Sequence, residues 1–312
     1  MQKISIERST SIVKQIANDL KFDHCGISKA EYLKEEAPRL EFWLKNRFHG
    51  KMDYMTSHFE KRLNPSRLVE GARSIISLLY NYYPERNLPV KNTYKIAKYA
   101  YGTDYHFIIK KKLKEFLFLL NDKIGDIHGR GFVDSAPVLE RQLAARSGLG
   151  WIGKNTMLIN KEKGSFFFLA ELITDLELIP DSPIGDYCGT CSRCIEACPT
   201  EALTPFQMDA TKCISYLTIE LKDQIPQSFK GKMKDWIFGC DICQDVCPWN
   251  RFSKAHREPE FVPNHELYNF DKQTWEEMTE ETFLTVFQKS TLKRTKYKGL
   301  KRNILFAREE RL

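Results

Sequence analysis

The chain has 312 residues, 42% hydrophobic, 12% aromatic and 29% charged, a balance that excludes collagen-like, low-complexity and broadly disordered classes and fits about two folding units. Its 48 Lys and Arg against 41 Asp and Glu leave a formal charge of +7, which permits a polyanionic partner without demanding one. Nine cysteines are more informative: Cys25 stands alone and the other eight lie between Cys188 and Cys247.

The opening residues lack the apolar run and cleavage pattern of a signal peptide, and no stretch approaches the roughly 20 apolar residues of a membrane helix. A cytoplasmic protein without membrane contact is expected, and with no apolar interface stripe, a monomer. In a reducing compartment clustered cysteines bind metal or do redox chemistry more often than they form disulfides.

In chain order, Ile4, Ile12, Val13, Ile16, Ala17 and Leu20 recur at helical spacing. Phe22 to Ile27 reads as a strand, with Cys25 as a small buried hydrophobe. Residues 32–63 read as charged helix, and Arg73 to Tyr83 as a buried strand rich in β-branched and aromatic residues. A helix is predicted from Asp104, its N-cap, with Phe107, Ile108, Leu113 and Leu117 inward and Lys110, Lys111, Lys112 and Lys114 on a solvated face. A short strand, Gly131 to Val133, leads to Asp134, and a helix follows from Pro137 to Ser147 with Gly148 just past its end.

Gly148-Leu-Gly150-Trp-Ile-Gly153 is a literal GxGxxG, but it follows a helix and leads into a strand, the reverse of a dinucleotide fingerprint. Its glycines are expected to let backbone approach a flat ligand. Residues 156–159 and 165–173 read as a hairpin. Strands mixed with helices up to about residue 175 predict an α+β or α/β domain, with 181–185 as linker.

Cys188-x2-Cys191-x2-Cys194-x3-Cys198-Pro199 is the bacterial ferredoxin ladder, in which three thiolates hold one cubane and the fourth reaches the other cluster. Cys240-x2-Cys243-x3-Cys247-Pro248 repeats the end of that ladder without its first cysteine, and Cys213 is the remaining candidate for that place. Crossed ligation then gives one [4Fe–4S] cluster Cys188, Cys191, Cys194 and Cys247, and the other Cys198, Cys213, Cys240 and Cys243. Two structural zinc sites are the alternative, but zinc ribbons do not require the Cys-Pro ending in both blocks. Two clusters make an electron wire, and the long segment before them is where its electrons are spent.

The order of these motifs resembles epoxyqueuosine reductases, cobalamin-dependent iron–sulfur enzymes of the queuosine tRNA pathway. The resemblance rests on Lys61-Arg62-Leu-Asn-Pro65, Lys98-Tyr99-Ala-Tyr-Gly-Thr-Asp104-Tyr105-His106, Val133-Asp134-Ser-Ala-Pro137, Gly150-Trp-Ile-Gly-Lys-Asn-Thr156, both cysteine blocks, Cys213-Ile-Ser-Tyr-Leu-Thr-Ile-Glu220, and Lys293-Arg294-x-Lys-x-x-Gly-Leu-x-Arg302-Asn303. It implies a cobalamin-binding domain over 1–177, similar to cobalamin-processing proteins and distantly to nitroreductases, a two-cluster ferredoxin-like domain over 178–258, and a basic helical segment over 259–312. Longer family members continue into helical repeats beyond the point corresponding to Leu312.

The implied reaction is reductive removal of the epoxide oxygen of epoxyqueuosine in tRNA with a GUN anticodon, consuming two electrons and two protons. A flavodoxin or ferredoxin is the kind of electron donor it implies. The resemblance makes Asp134 the proton donor, where residues alone would also allow a helix N-cap. It makes Ser57, His58, Lys98, Tyr99, Tyr105, Asp134, Asn155, Thr156 and Ser215 candidate cofactor contacts, with neither His58 nor His106 on the cobalt. Lys222, Lys293, Arg294, Lys296, Lys298, Lys301 and Arg302 become candidate tRNA contacts, where a solvated helix face is the plainer reading. Lys230, Lys232 and Lys234 would extend that surface. Two other functions fit parts of the pattern: a cobalamin-dependent reductive dehalogenase acting on a small molecule, and a ferredoxin-like electron carrier with no substrate.

Overall fold

A computed structural model describes residues 4–308. It is a mixed helix and sheet protein built around a four-stranded antiparallel sheet in the order His24–Lys29, Ser74–Asn81, Phe167–Thr174, Gly129–Phe132. The two central strands are apolar and buried on both faces, so both faces must be covered.

Ile76, Leu78, Tyr80, Phe168, Ala170 and Leu172 meet the helices Ile6–Asp19 and Tyr105–Ile124. On the opposite face Ile75 and Ile173 meet Leu143 of the helix Glu140–Arg146, while Leu79 and Phe167 pack with Ala144, Leu149 and Leu158. Ser77 and Glu171 are buried polar residues and register partners in the middle of the sheet, as Ser74 and Thr174 are at its end.

Local signals start the long helices. The Ser5 hydroxyl accepts from Arg8 N at 3.3 Å, and Asp104 Oδ1 accepts from His106 N at 2.9 Å, each satisfying an orphan amide of the first turn. The inward face of the second helix is Tyr105, Ile108, Ile109, Leu113, Phe116 and Leu120. Phe107 falls outside this arc and is 65% exposed, a correction to the predicted face. Lys110, Lys111 and Lys114 are exposed, but Lys112 is half-buried and donates to the Leu20 carbonyl at 3.0 Å.

The predicted hairpin of 156–159 with 165–173 pairs otherwise. Leu158–Ile159 turns back on Trp151–Ile152, and Phe167–Thr174 joins the main sheet. Two glycines of the GxGxxG let the chain pack closely on itself. A Cβ on Gly150 would meet the Ile159 carbonyl at 2.3 Å, and Gly148 takes φ +73° with the Ser182 carbonyl 2.6 Å from its missing Cβ.

A second apolar core lies beyond the sheet. Residues 94–101 pack with Ile219, Ile237 and Phe238 and with the helices Lys272–Glu277, Glu280–Val286 and Lys296–Arg308. Lys95–Ile96 pairs in parallel with Trp236–Phe238, and the fully buried Asn303 amide donates to the carbonyls of Thr218 and Ile237, each at 2.8 Å. Early sequence, cysteine region and C-terminal helices therefore interlock. Residues 309–312, the end of the basic segment, lie outside the described residues. Among the described residues no helix is long and apolar enough to cross a membrane.

Candidate redox and proton-transfer site

The short helices Arg193–Glu196 and Ile242–Asp245 pack against each other, so the two cysteine blocks face one another. Cys188, Cys191, Cys194 and Cys247 line one cavity of about 190 Å³, with Lys154, Tyr187 and Trp249 among its other walls. Cys213 and Cys243 are electrostatic neighbours of each other and of both Cys198 and Cys240. The last cysteine of each block thus stands among the thiols of the other, the juxtaposition that crossed ligation needs.

Burial pushes the Cys188, Cys194, Cys213, Cys240, Cys243 and Cys247 thiols up, and in all but Cys188, where Asp186 does so, neighbouring thiols push in the same direction. Ionised thiols at such a place need a compensating cation. Cys25 lies apart, packed beside the core of the main sheet, where burial raises its thiol to about 12.

The outer group is tied to the fold by Trp151, whose Nε1–H points to Cys188 Sγ at 3.5 Å, and by Lys154, whose ammonium binds the carbonyls of Gly189 and Cys191 at 2.7 and 3.0 Å. Around the inner group, Asn155 Nδ2 donates to the Cys243 carbonyl at 3.3 Å, and Ser215 hydrogen-bonds to Cys213. Lys98 is buried and gives its ammonium to Asp245 at 2.6 Å and Asp241 at 3.5 Å. Two carboxylates raise the lysine against the cost of its burial, and burial raises Asp241 to about 6 although Lys98 opposes it.

Asp134 sits on the loop after the strand Gly129–Phe132, in a left-handed conformation with φ +46°. The helix after it begins at Glu140 and its N-cap position is Leu139, so Asp134 is not the cap, a correction to that reading. Its Oδ2 accepts the Tyr105 hydroxyl at 2.6 Å, its backbone N–H donates to Glu140 Oε1 at 2.6 Å, and His106 Nε2 stands 4.0 Å away. The His106 Nδ1 meets Asp104 Oδ1 at 2.7 Å. Burial, and then Asp134, hold the Tyr105 phenol far above its ordinary range, so it remains a donor.

Tyr99 joins this site to the inner thiols. Its ring meets Tyr105 edge-on at 6.3 Å and Phe238 at 6.1 Å, and the missing Cβ of Gly239, next to Cys240, lies 3.4 Å from it. A second connection runs through Thr156, whose carbonyl accepts from Arg141 at 2.6 Å beside Glu140. Tyr54, Glu220 and Arg294 complete the neighbourhood, with Arg294 and Glu220 paired at 2.7 Å; burial raises the Tyr54 phenol, and Glu220 adds to that rise while Arg294 opposes it. Ser57 and His58 are exposed nearby, and the Ser57 carbonyl accepts from Arg62. The structure brings together Tyr99, Tyr105 and Asp134, with Thr156 tied to the same place through Arg141, whereas Lys98, Asn155 and Ser215 stand with the inner thiols.

The basic residues divide in two. Lys222, Lys293, Arg294, Lys296 and Lys298 are exposed, although Lys222 also gives its ammonium to the Ile219 carbonyl at 2.8 Å and Arg294 pairs with Glu220, and Lys222 is an electrostatic neighbour of Arg294, Lys296 and Arg302. Lys301 and Arg302 are half-buried and spent internally, Lys301 on the Glu276 carbonyl and Arg302 on the carbonyls of Leu217, Leu221 and Asp223. Lys230, Lys232 and Lys234 are exposed.

Sequence reasoning missed Tyr54, Glu140, Arg141, Glu171 and Glu220 as neighbours of this site. Glu171 alone left a visible mark, a carboxylate inside the apolar run Phe167–Thr174.

Two family models match the chain, a 4Fe-4S double cluster binding domain over residues 187–250 and Epoxyqueuosine reductase QueG, DUF1730 over residues 62–135. The epoxyqueuosine reductase of Cyclobacterium marinum is 62% identical over 309 residues, covering 98% of this chain and 99% of its own. That of Escherichia coli is 38% identical over 313 residues, covering 98% and 82%. A crystal structure of epoxyqueuosine reductase with an epoxyqueuosine-modified tRNA-Tyr stem loop superposes with a TM-score of 0.86 at 30% identity, over 95% of this chain and 80% of that one. The Bacillus subtilis enzyme, seen with the catalytic loop of its own Asp134 swung out of the active site, gives 0.85 at 29% identity over the same shares. A B12-dependent reductive dehalogenase shares the fold alone, with a TM-score of 0.51 at 14% identity over 99% of this chain and 37% of that one.

Proposed function

The chain belongs to the epoxyqueuosine reductase family, and on that premise we propose that it reduces epoxyqueuosine in tRNA to queuosine, with Asp134 giving the proton that the departing oxygen needs. The C–O bonds of the epoxide break, an alkene and water form, and two electrons and two protons are consumed. The observation that carries this reading is the exposed Asp134 carboxyl, held by the Tyr105 hydroxyl, with the Tyr105 ring edge-on to Tyr99 and Tyr99 in turn beside Gly239, next to Cys240 of the inner thiols.

Two [4Fe–4S] clusters fit the thiol groups, with Cys188, Cys191, Cys194 and Cys247 as the entry end and Cys198, Cys213, Cys240 and Cys243 facing the reaction site. A cobalamin fits beside Asp134, Tyr99, Tyr105, Asn155 and Thr156, with Ser57 and His58 on the nearby loop, and the dehalogenase likeness supports a corrin in this fold. Bound there, it supplies a cobalt centre able to deliver both electrons to the epoxide.

The residues handle the proton. The Tyr105 hydroxyl donates to Asp134 Oδ2, which leaves Oδ1 to carry the proton toward the epoxide oxygen. Once that proton is given, the same hydroxyl stabilises the carboxylate through a charge-assisted bond. With Nδ1 committed to Asp104, His106 Nε2 is the nearest group able to return a proton to Asp134.

The tRNA approaches over Lys222, Lys293, Lys296 and Lys298, with Arg294 closest to the reaction site, while Lys301 and Arg302 hold the fold that presents them. The division into 1–177, 178–258 and 259–312 is one of function, because the cores interlock.

Protein reconstituted anaerobically with iron, sulfide and cobalamin is expected to retain about one cobalamin per chain and, given a chemical reductant, to turn epoxyqueuosine tRNA into queuosine tRNA. Failure to retain the corrin, or retention without conversion, overturns the reading.

A further inference from the structure

Glu140 and Glu171 are acidic groups of the Asp134 neighbourhood that neither the thiol ladder nor the proton transfer uses. Glu171 lies in the middle of the sheet, opposite Ser77 on one side and Phe132 on the other, with no exposed surface. Neither of its carboxyl oxygens has a hydrogen-bond partner. The ionisable group that acts on it is Glu140, whose Oε1 accepts the Asp134 backbone N–H at 2.6 Å.

That bond ties down the Asp134 main chain, which holds a non-glycine residue at φ +46°. Arg141, next in the helix, spends Nη1 on the Thr156 carbonyl and hydroxyl at 2.6 and 3.3 Å. Asp134 stands on the loop side of Glu140 and Glu171 on its sheet side, so three carboxyl groups line up from solvent to core. An unpaired ionised Glu171 in the sheet interior would be prohibitively costly, and it avoids that cost by keeping its proton. Burial pushes Glu171 well above the ordinary carboxyl range, and it raises Glu140 to about 8, with Asp134 adding to that rise and the Asp134 N–H and Arg141 opposing it.

We propose that Glu140 is a positioning residue for the proton donor, its carboxyl oxygen fixing the Asp134 turn through the backbone N–H, and that Glu171 is a neutral acid beneath it that keeps a further charge from gathering there. The proposal rests on the reading of Asp134 as donor. Glu140 passes no proton to the Asp134 side chain; it supplies the acceptor that keeps the donating oxygen in register with the substrate.

The test uses intact protein carrying both clusters and cobalamin. Glu140→Ala is expected to lower kcat by about 10²-fold, the scale of a misplaced catalytic group, with KM for the tRNA and the iron content unchanged. Glu140→Gln, which keeps an acceptor oxygen, is expected to restore most of that loss. In the infrared spectrum at neutral pH, a protonated-carboxyl C=O band is expected to disappear in Glu171→Gln. Full kcat in Glu140→Ala, no rescue by Glu140→Gln, or an unchanged band in Glu171→Gln overturns the proposal. Asp134→Ala is run alongside: if it is inactive while Glu140→Ala is fully active, only the positioning role fails, and if it is active, the donor reading fails with it.

Discussion

The two thiol groups are built from near-repeats of one cysteine pattern, yet they sit in different surroundings. The outer group lines a cavity beside Lys154, Tyr187 and Trp249, with Tyr187 45% exposed. The inner group is enclosed by Tyr99, Asn155, Ser215 and the Lys98–Asp241 pair, and its Cys240 and Cys243 thiols are pushed furthest up by burial. One thiol group thus lies beside the exposed Tyr187 and the other against the Asp134 site, the arrangement that the proposed electron path uses.

The inner group is the place to break this arrangement most severely. Cys213→Ala is expected to remove about half of the iron and abolish turnover, because the chain has no other spare cysteine near that place. Iron and sulfide analysis checks it, and an unchanged count rejects Cys213 as a ligand. Lys98→Met comes next. It leaves Asp241 buried without its cation, which is expected to cost about 3–5 kcal/mol in denaturant unfolding.

The basic surface sharpens the contrast between groups that face outward and groups that build. Arg302→Ala orphans the carbonyls of Leu217, Leu221 and Asp223 and is expected to cost roughly 1–3 kcal/mol of stability. Lys298→Ala is expected to leave stability unchanged and to reduce the salt dependence of tRNA binding by about one unit of slope. Equal stability losses in both would erase the distinction.

Smaller effects belong to tuning. Trp151→Phe removes the N–H aimed at Cys188 Sγ and is expected to lower the outer cluster potential by about 20–60 mV, one hydrogen bond converted at one electron, while the inner potential stays put. Potentiometric EPR separates the two. The raised Glu140 gives a pH test: the folded state holds a proton that the unfolded chain releases, so stability falls as pH rises from about 4.5 towards 8. Glu140→Gln should flatten that slope in thermal melts.

Much of this was legible from local spacing. The cysteine ladder and the Asp104 cap are read within a few residues, where covalent geometry limits the choices. Phe107 misled because its apolarity outweighed its angle on the helix, 65% of its surface being in solvent. The hairpin misled because Leu158–Ile159 had a nearer partner in Trp151–Ile152. Glu171 beside Glu140, and Arg294 beside Glu220, depend on registers and packing between distant segments, which no single stretch of sequence displays.

The central claim is that electrons arriving through the inner thiols meet a proton from Asp134 at the epoxide. Asp134→Ala, loaded with both clusters and cobalamin, is given epoxyqueuosine tRNA and a chemical reductant, and the digested nucleosides are weighed by mass spectrometry. The expected result is full cofactor content with the epoxide intact, whereas queuosine formed at the unsubstituted protein's rate would contradict the account.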